Sequence, residues 1–107
     1  AIARRAYPRW RDSFRWLFAR HGTEPRVIGI YPPTFDGLMA LNNGVAGSPD
    51  TVRRFIAAEI DANSCNYFVP QMVFGDMTLA EALRSIGLFA QQVMPAFPDR
   101  RPALIAT

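Results

Sequence analysis

The chain has 107 residues, of which 50% are hydrophobic and 12% are aromatic, and its formal net charge is +3. This composition excludes a disordered or low-complexity chain, and no apolar run approaches the ~18 residues that span a bilayer. All 12 basic residues are Arg, but a net charge of +3 is too small to require a nucleic-acid partner.

The first predicted element is a helix that begins near Tyr7 and ends at Gly22. Pro8 suits the first turn of a helix, where its missing N–H is not needed. The short apolar run Val27–Tyr31 predicts a strand, which Pro32 and Pro33 would end. The apolar face of the helix is indicated by residues at helical spacing: Trp10, Phe14, Leu17, Phe18 and His21.

Two further helices are predicted in the middle of the chain. The first opens at Thr34 and runs to about Leu41. The second has the signals of a sharp start, because Ser48 can cap it and Pro49 fits its first position. Its apolar spacing continues to about Ala62.

The run Cys65-Asn66-Tyr67-Phe68-Val69 predicts a strand that is buried on both faces. Pro70 is awkward there, because it cannot donate to a central ladder. The predicted last helix follows over 78–95, where Thr78 and Glu81 have the spacing of a capping box. A helix, a strand and a helix in this order resemble one βα unit with the preceding helix attached, and one or two strands cannot form a sheet alone. We therefore expect a piece of a larger protein.

Side chains that could carry catalysis are few. Cys65 could act as a nucleophile and His21 as a base, but a small buried apolar group and a helix-terminal residue explain them better. The carboxylates are scattered, no metal site is predicted, and no catalytic residue is assigned. A lone Cys implies no disulfide, which favours a cytoplasmic chain.

The stretch 45–97 resembles the luciferase-like flavin-dependent monooxygenases. The helix start resembles the family pattern G-[ST]-P-x-x-V, and Asn66-Tyr67-Phe68-Val69 resembles the last barrel strand. The next run is similar to F-G-D-L-x-x-x-E-A-L-R-S, and the chain then matches L-F-x-x-x-V-M-P. The matching residues are Gly47-Ser48-Pro49-Asp50-Thr51-Val52, then 74–85, then Leu88-Phe89 and Val93-Met94-Pro95.

The resemblance implies that the chain is an α/β, C-terminal fragment of a (β/α)₈ TIM barrel, mostly helical with one or two short strands. Residues 1–33 would form a lid-like helix and connector, 34–97 the last barrel units, and 98–107 a tail. The active site of such a barrel lies at the C-terminal ends of its strands. The resemblance therefore puts three residues near the flavin or the substrate: Gln71, Met72 and Phe74.

The same resemblance implies that the intact parent protein uses reduced FMN and O₂ to oxygenate a small organic substrate. A flavin reductase is a possible partner, and no nucleic acid or membrane partner is expected. The earlier parts of the parent would hold most of the flavin. We therefore expect the fragment to be inactive alone, to bind no FMN, and to form a homo-oligomer that covers its exposed apolar faces.

Two other classes of function stay open. A small self-associating helical module without enzymatic activity would place Trp10, Phe14, Ile86 and Phe89 at a subunit interface. An arginine-rich binder of RNA or DNA is the other class, and it predicts binding with a steep salt dependence.

Overall fold

A computed structural model describes residues 1–22 and 31–98, and these residues form an all-helical structure. Four α-helices follow one another along the chain, and the last continues into a π-helical turn and a short 3₁₀ turn. The helices are α1 (Ile2–Arg20), α2 (Phe35–Ala40), α3 (Pro49–Asn63) and α4 (Leu79–Leu88), followed by the π turn Phe89–Val93 and the 3₁₀ turn Met94–Ala96.

Helix α1 begins five residues earlier than the sequence indicated. Pro8 therefore lies inside the helix rather than in its first turn, so that prediction was wrong. A proline there removes one helical hydrogen bond. Ala6 and Tyr7, the two residues directly before Pro8, are buried at 0% and 3% exposure, so packing stabilises the turn that proline weakens.

The predicted starts of α2, α3 and α4 are confirmed. The hydroxyl of Thr34 accepts a hydrogen bond from the N–H of Gly37 at 3.1 Å, and that of Ser48 accepts one from Thr51 at 3.2 Å. At α4 the capping box is complete, because the Glu81 N–H donates to the Thr78 hydroxyl and the Thr78 N–H donates to the Glu81 carboxylate.

The predicted barrel fold was wrong for the part of the chain that is described. Residues 65–74 form no strand, and no backbone–backbone hydrogen bond joins 65–73 to other described residues. A strand exists where a neighbouring strand accepts its N–H groups and donates to its C=O groups, and the described residues offer no such neighbour. The chain is all-helical there rather than an α/β barrel fragment. The predicted strand 27–31 and the tail 98–107 lie outside the described residues, apart from Tyr31 and Pro98.

Two small clusters of buried side chains hold the helices together. Tyr7 of α1 packs with Phe35 and Leu38 of α2, all with exposures of 7% or less. A second contact joins α3 to the π turn, where Ile56 and Val93 are buried. The guanidinium of Arg53 in α3 also donates a hydrogen bond to the C=O of Gln92 in that turn.

One glycine allows α1 to approach the turn before α4. Gly75 has φ +62°, and a Cβ at this position would overlap the backbone carbonyl of Ala6. Only glycine combines that left-handed backbone with such a close approach at little cost. The contact therefore fixes the N-terminal half of α1 against residues about seventy positions away.

A substitution at Gly75 tests this contact. We expect Gly75→Ala to lower the free energy of unfolding by at least about 2 kcal/mol, because it adds both a strained φ and an overlap with the α1 backbone. The measurement is urea unfolding followed by circular dichroism.

Gly87→Ala is the matched control for this substitution. Gly87 lies in α4, and a Cβ there would meet no atom within 4 Å. We expect this variant to be as stable as the parent or more stable by up to about 1 kcal/mol. Equal stability of the two variants would contradict the close contact.

Candidate functional site

The described residues form a groove of about 850 Å³. All four helices and the irregular segment before α4 contribute to its walls. Most of the lining side chains are apolar or aromatic, which is typical of sites that bind small organic molecules. The residues that define it best are Tyr7, Trp10, Phe35, Phe55, Ile56, Phe68, Met72, Phe74 and Phe89.

One wall of the groove is a run of packed aromatic rings. The Tyr7 ring lies 5.9 Å from Trp10 and 6.0 Å from Phe35, and Phe35 stacks on Phe74 with centroids 6.5 Å apart and an angle of 8°. Offset stacking and edge contacts of this kind hold aromatic side chains in defined orientations. The groove therefore has a wall that is already ordered without a ligand.

The three residues that the resemblance put near the flavin or substrate all line this groove. Met72 and Phe74 are half-buried, and Gln71 is exposed at the surface. Phe74 belongs to the aromatic wall through its stacking on Phe35. The structure thus brings Gln71, Met72 and Phe74 together at one concavity, although the segment that carries them is not a strand.

Two hydrogen bonds to the chain before α2 orient the α1 side of the groove. The Tyr7 hydroxyl donates to the C=O of Pro32 at 2.7 Å, and the Arg11 guanidinium donates to the C=O of Tyr31 at 2.7 Å. Burial raises the pKa of Tyr7 above its ordinary value. The phenol therefore remains a hydrogen-bond donor over the physiological pH range.

Glu81, a lining residue of the groove, is held by Arg5, which lies outside the lining. The Arg5 guanidinium donates to the carboxylate of Glu81 at 2.6 and 3.0 Å and to Asp76 at 3.2 Å. The hydrogen bonds from Arg5, and then that from the Thr78 N–H, lower the pKa of Glu81 to about 2. Glu81 is therefore ionised at neutral pH. Its carboxylate caps the start of α4 and also binds Arg5 of α1.

The candidate nucleophile and the candidate base lie apart from the groove in the part of the chain that is described. Within 1–22 and 31–98, no group of three or more His, Cys, Asp or Glu could hold a metal ion. His21 is exposed at the C-terminal end of α1, Cys65 is half-buried, and neither lines the groove. The side chains present can orient an organic molecule and exclude water from it.

The sequence patterns do not reveal the other members of the aromatic wall, nor the arginine beside the groove. They indicate Tyr7 as the start of a helix and Phe35 as part of a short helix, and they assign no role to Arg5. A capping box with a glutamate at its third position was the one available signal, because it marked Glu81 as a fixed carboxylate. The arginine that pairs with it, Arg5, lies 76 positions away, and no sequence pattern predicts this pair.

Comparisons with known proteins give one relative and no family. No family model matches the chain, and no solved structure matches it. An uncharacterized protein of Sinorhizobium fredii, y4wF, is 28% identical over 94 residues. The match covers 88% of this chain and 27% of that protein, so the chain spans about a quarter of the length of the relative. In the described ranges, no helix has the length and hydropathy of a membrane span.

The depressed pKa of Glu81 predicts how stability depends on pH. Its folded value of about 2 lies below the ordinary 4.5, so its contribution is complete above about pH 4.5 and is lost as the pH falls towards 2. Glu81→Gln keeps a capping side chain but removes the charge. We expect this variant to be less stable at neutral pH and to lose less stability than the parent between about pH 4.5 and pH 2.

Asp61→Asn is the control for the pH experiment. Asp61 is exposed on α3 and makes no salt bridge with the described residues. Its substitution should leave the acid limb of the stability profile unchanged when urea midpoints are compared. A Glu81→Gln profile parallel to that of the parent would contradict the role of the Arg5–Glu81 pair.

Proposed function

We propose that these residues form the substrate-facing wall of a flavin-dependent monooxygenase of the luciferase-like type, acting in the cytoplasm. In this proposal the intact protein uses reduced FMN and O₂ to oxygenate a small organic substrate, and a separate flavin reductase is a possible partner. The observation that carries the proposal is the position of Met72 and Phe74. The family resemblance puts both next to the flavin or substrate, and both line the apolar groove.

The resemblance is also supported by where the helices begin. Its motifs require a helix after Ser48 and another after Thr78, and α3 and α4 start there with both caps formed. The relative from S. fredii is much longer than this chain, which fits a parent protein with room for the remainder of a flavin site. The described residues would contribute to this activity as a helical unit and not as part of a barrel.

The groove fits part of FMN and not all of it. The aromatic wall suits a flat ring or an apolar substrate. No arginine is among the described lining residues and the chain has no lysine, so no basic side chain there could pair with the FMN phosphate. The described residues therefore do not fit the whole cofactor. In the proposal they orient the organic substrate and keep water from it, and residues elsewhere in the parent bind the phosphate.

Self-association without catalysis is the second candidate function. Its support is a row of exposed apolar residues on α4, where Leu79, Leu83 and Ile86 are 75%, 59% and 42% exposed at i, i+4 and i+7. Trp10 and Phe14, predicted at the interface, instead pack against each other with centroids 5.3 Å apart. A molar mass that rises with concentration in sedimentation equilibrium favours this candidate.

Flavin titration tests the monooxygenase proposal. FMN fluorescence is measured with full-length y4wF, with the same protein lacking the region that matches this chain, and with the 107-residue chain alone. We expect quenching by the full-length protein and none by the chain alone, because the groove has no arginine for the phosphate.

Oxygen consumption completes this test. The full-length protein should oxidise reduced FMN in the presence of an organic substrate with formation of an oxygenated product, and the shortened protein should not. If the full-length protein neither quenches FMN nor forms an oxygenated product, the proposal is overturned.

A further inference from the structure

The charges that line the groove are distributed unevenly. The chain has 12 Arg, yet none of them is among the described residues that line it. The ionisable side chains on its walls, apart from the phenol of Tyr7, are the carboxylates of Glu59 and Glu81. Ala1 also lines the groove, so the 107-residue chain on its own places an α-amino group there.

The arginines nearest to these walls are already engaged. Arg5 binds Glu81 and Asp76, and Arg53 donates to the C=O of Gln92 and pairs with Asp50. Releasing either guanidinium to a ligand would leave a carboxylate or a carbonyl without its donor. Neither Arg5 nor Arg53 is therefore free to pair with an anionic ligand in the groove.

Glu59 leaves a negative charge on the α3 side of the groove. Its carboxylate accepts a hydrogen bond from the Asn63 amide at 3.1 Å and makes no salt bridge with the described residues. An anion placed among the aromatic rings would lose hydration and meet this like charge. A neutral molecule of the same shape would lose much less hydration free energy and would not be repelled by Glu59.

We propose that the groove binds neutral aromatic compounds and rejects anions of the same shape. The inference deepens the proposed function and rests on it, because it gives the class of organic substrate that the groove would accept. Apolar area and ring stacking provide the attraction, and the two carboxylates, with no arginine on the walls, provide the discrimination.

Two fluorescent probes with one skeleton test the inference on the 107-residue chain. N-phenyl-1-naphthylamine is neutral, and 1-anilinonaphthalene-8-sulfonate adds a sulfonate to the same ring system. We expect the neutral probe to bind at least about tenfold more tightly, because the sulfonate has no cationic partner from an arginine. Equal or tighter binding of the sulfonate overturns the inference, and so does the absence of binding by the neutral probe.

A matched pair of charge reversals tests whether Glu59 causes the preference for neutral ligands. Glu59→Lys changes a lining residue, whereas Asp61→Lys makes the same charge change on the same helix outside the groove. We expect Glu59→Lys to reduce the preference for the neutral probe at least about threefold and Asp61→Lys to leave it unchanged. An equal effect of both variants would mean that net charge, not the groove, discriminates, and the inference would fail.

The probe experiment is independent of flavin chemistry. Neither probe needs FMN or O₂, so failure to bind them overturns the groove inference whatever the flavin titration gives. Conversely, selective binding of the neutral probe together with an inactive full-length relative would support the groove inference and overturn the monooxygenase proposal.

Discussion

The structure depends on the contact between the first turns of α1 and the turn that precedes α4. The backbone of Ala6 lies directly on Gly75, and next to it Arg5 binds the two carboxylates of Asp76 and Glu81. The close backbone contact and the ion pairs thus lie side by side, and both join residues about seventy positions apart. Tyr7 and Trp10 of α1 belong to the aromatic wall of the groove. The position of α1 against the turn before α4 therefore determines the distance between these two rings and the helices α3 and α4.

The rest of the molecule is lightly packed around this contact. Seven hydrophobic residues are buried among those described, while many large apolar side chains remain exposed. Small cores leave proteins marginally stable, and exposed apolar patches are typical of surfaces that meet a ligand or another part of a protein. The groove and the outer row of α4 are the two such surfaces here. The monooxygenase proposal uses the first, and the self-association candidate uses the second.

The sequence predicted local features well and the fold poorly. The helix starts at Ser48 and Thr78 were predictable, because a cap depends only on residues three positions apart, such as Thr78 and Glu81. The strand over 65–71 was predicted from an apolar run and from the resemblance to a barrel strand, and a strand also requires a partner that local sequence does not reveal. The early start of α1 was missed because Pro8 normally marks a first turn, and here burial of Tyr7 outweighs that preference.

The candidate site shows the same division. Gln71, Met72 and Phe74 were predicted as a group because the family resemblance puts them after the last barrel strand, and in the structure all three line one groove. The same wall also contains Tyr7 and Phe35, which approach Phe74 from distant segments of the chain. No periodicity or motif encodes that approach. Distant pairs of this kind become visible only in three dimensions.

The docking of α1 is the central claim, and nuclear Overhauser spectroscopy on the isotopically labelled chain tests it most directly. The account predicts strong cross-peaks between the α-protons of Ala6 and Gly75, together with cross-peaks between the rings of Phe35 and Phe74. A spectrum that shows the sequential contacts of a helical α1 but neither of these long-range sets would contradict it. In that case α1 would be a helix that does not form a wall of the groove.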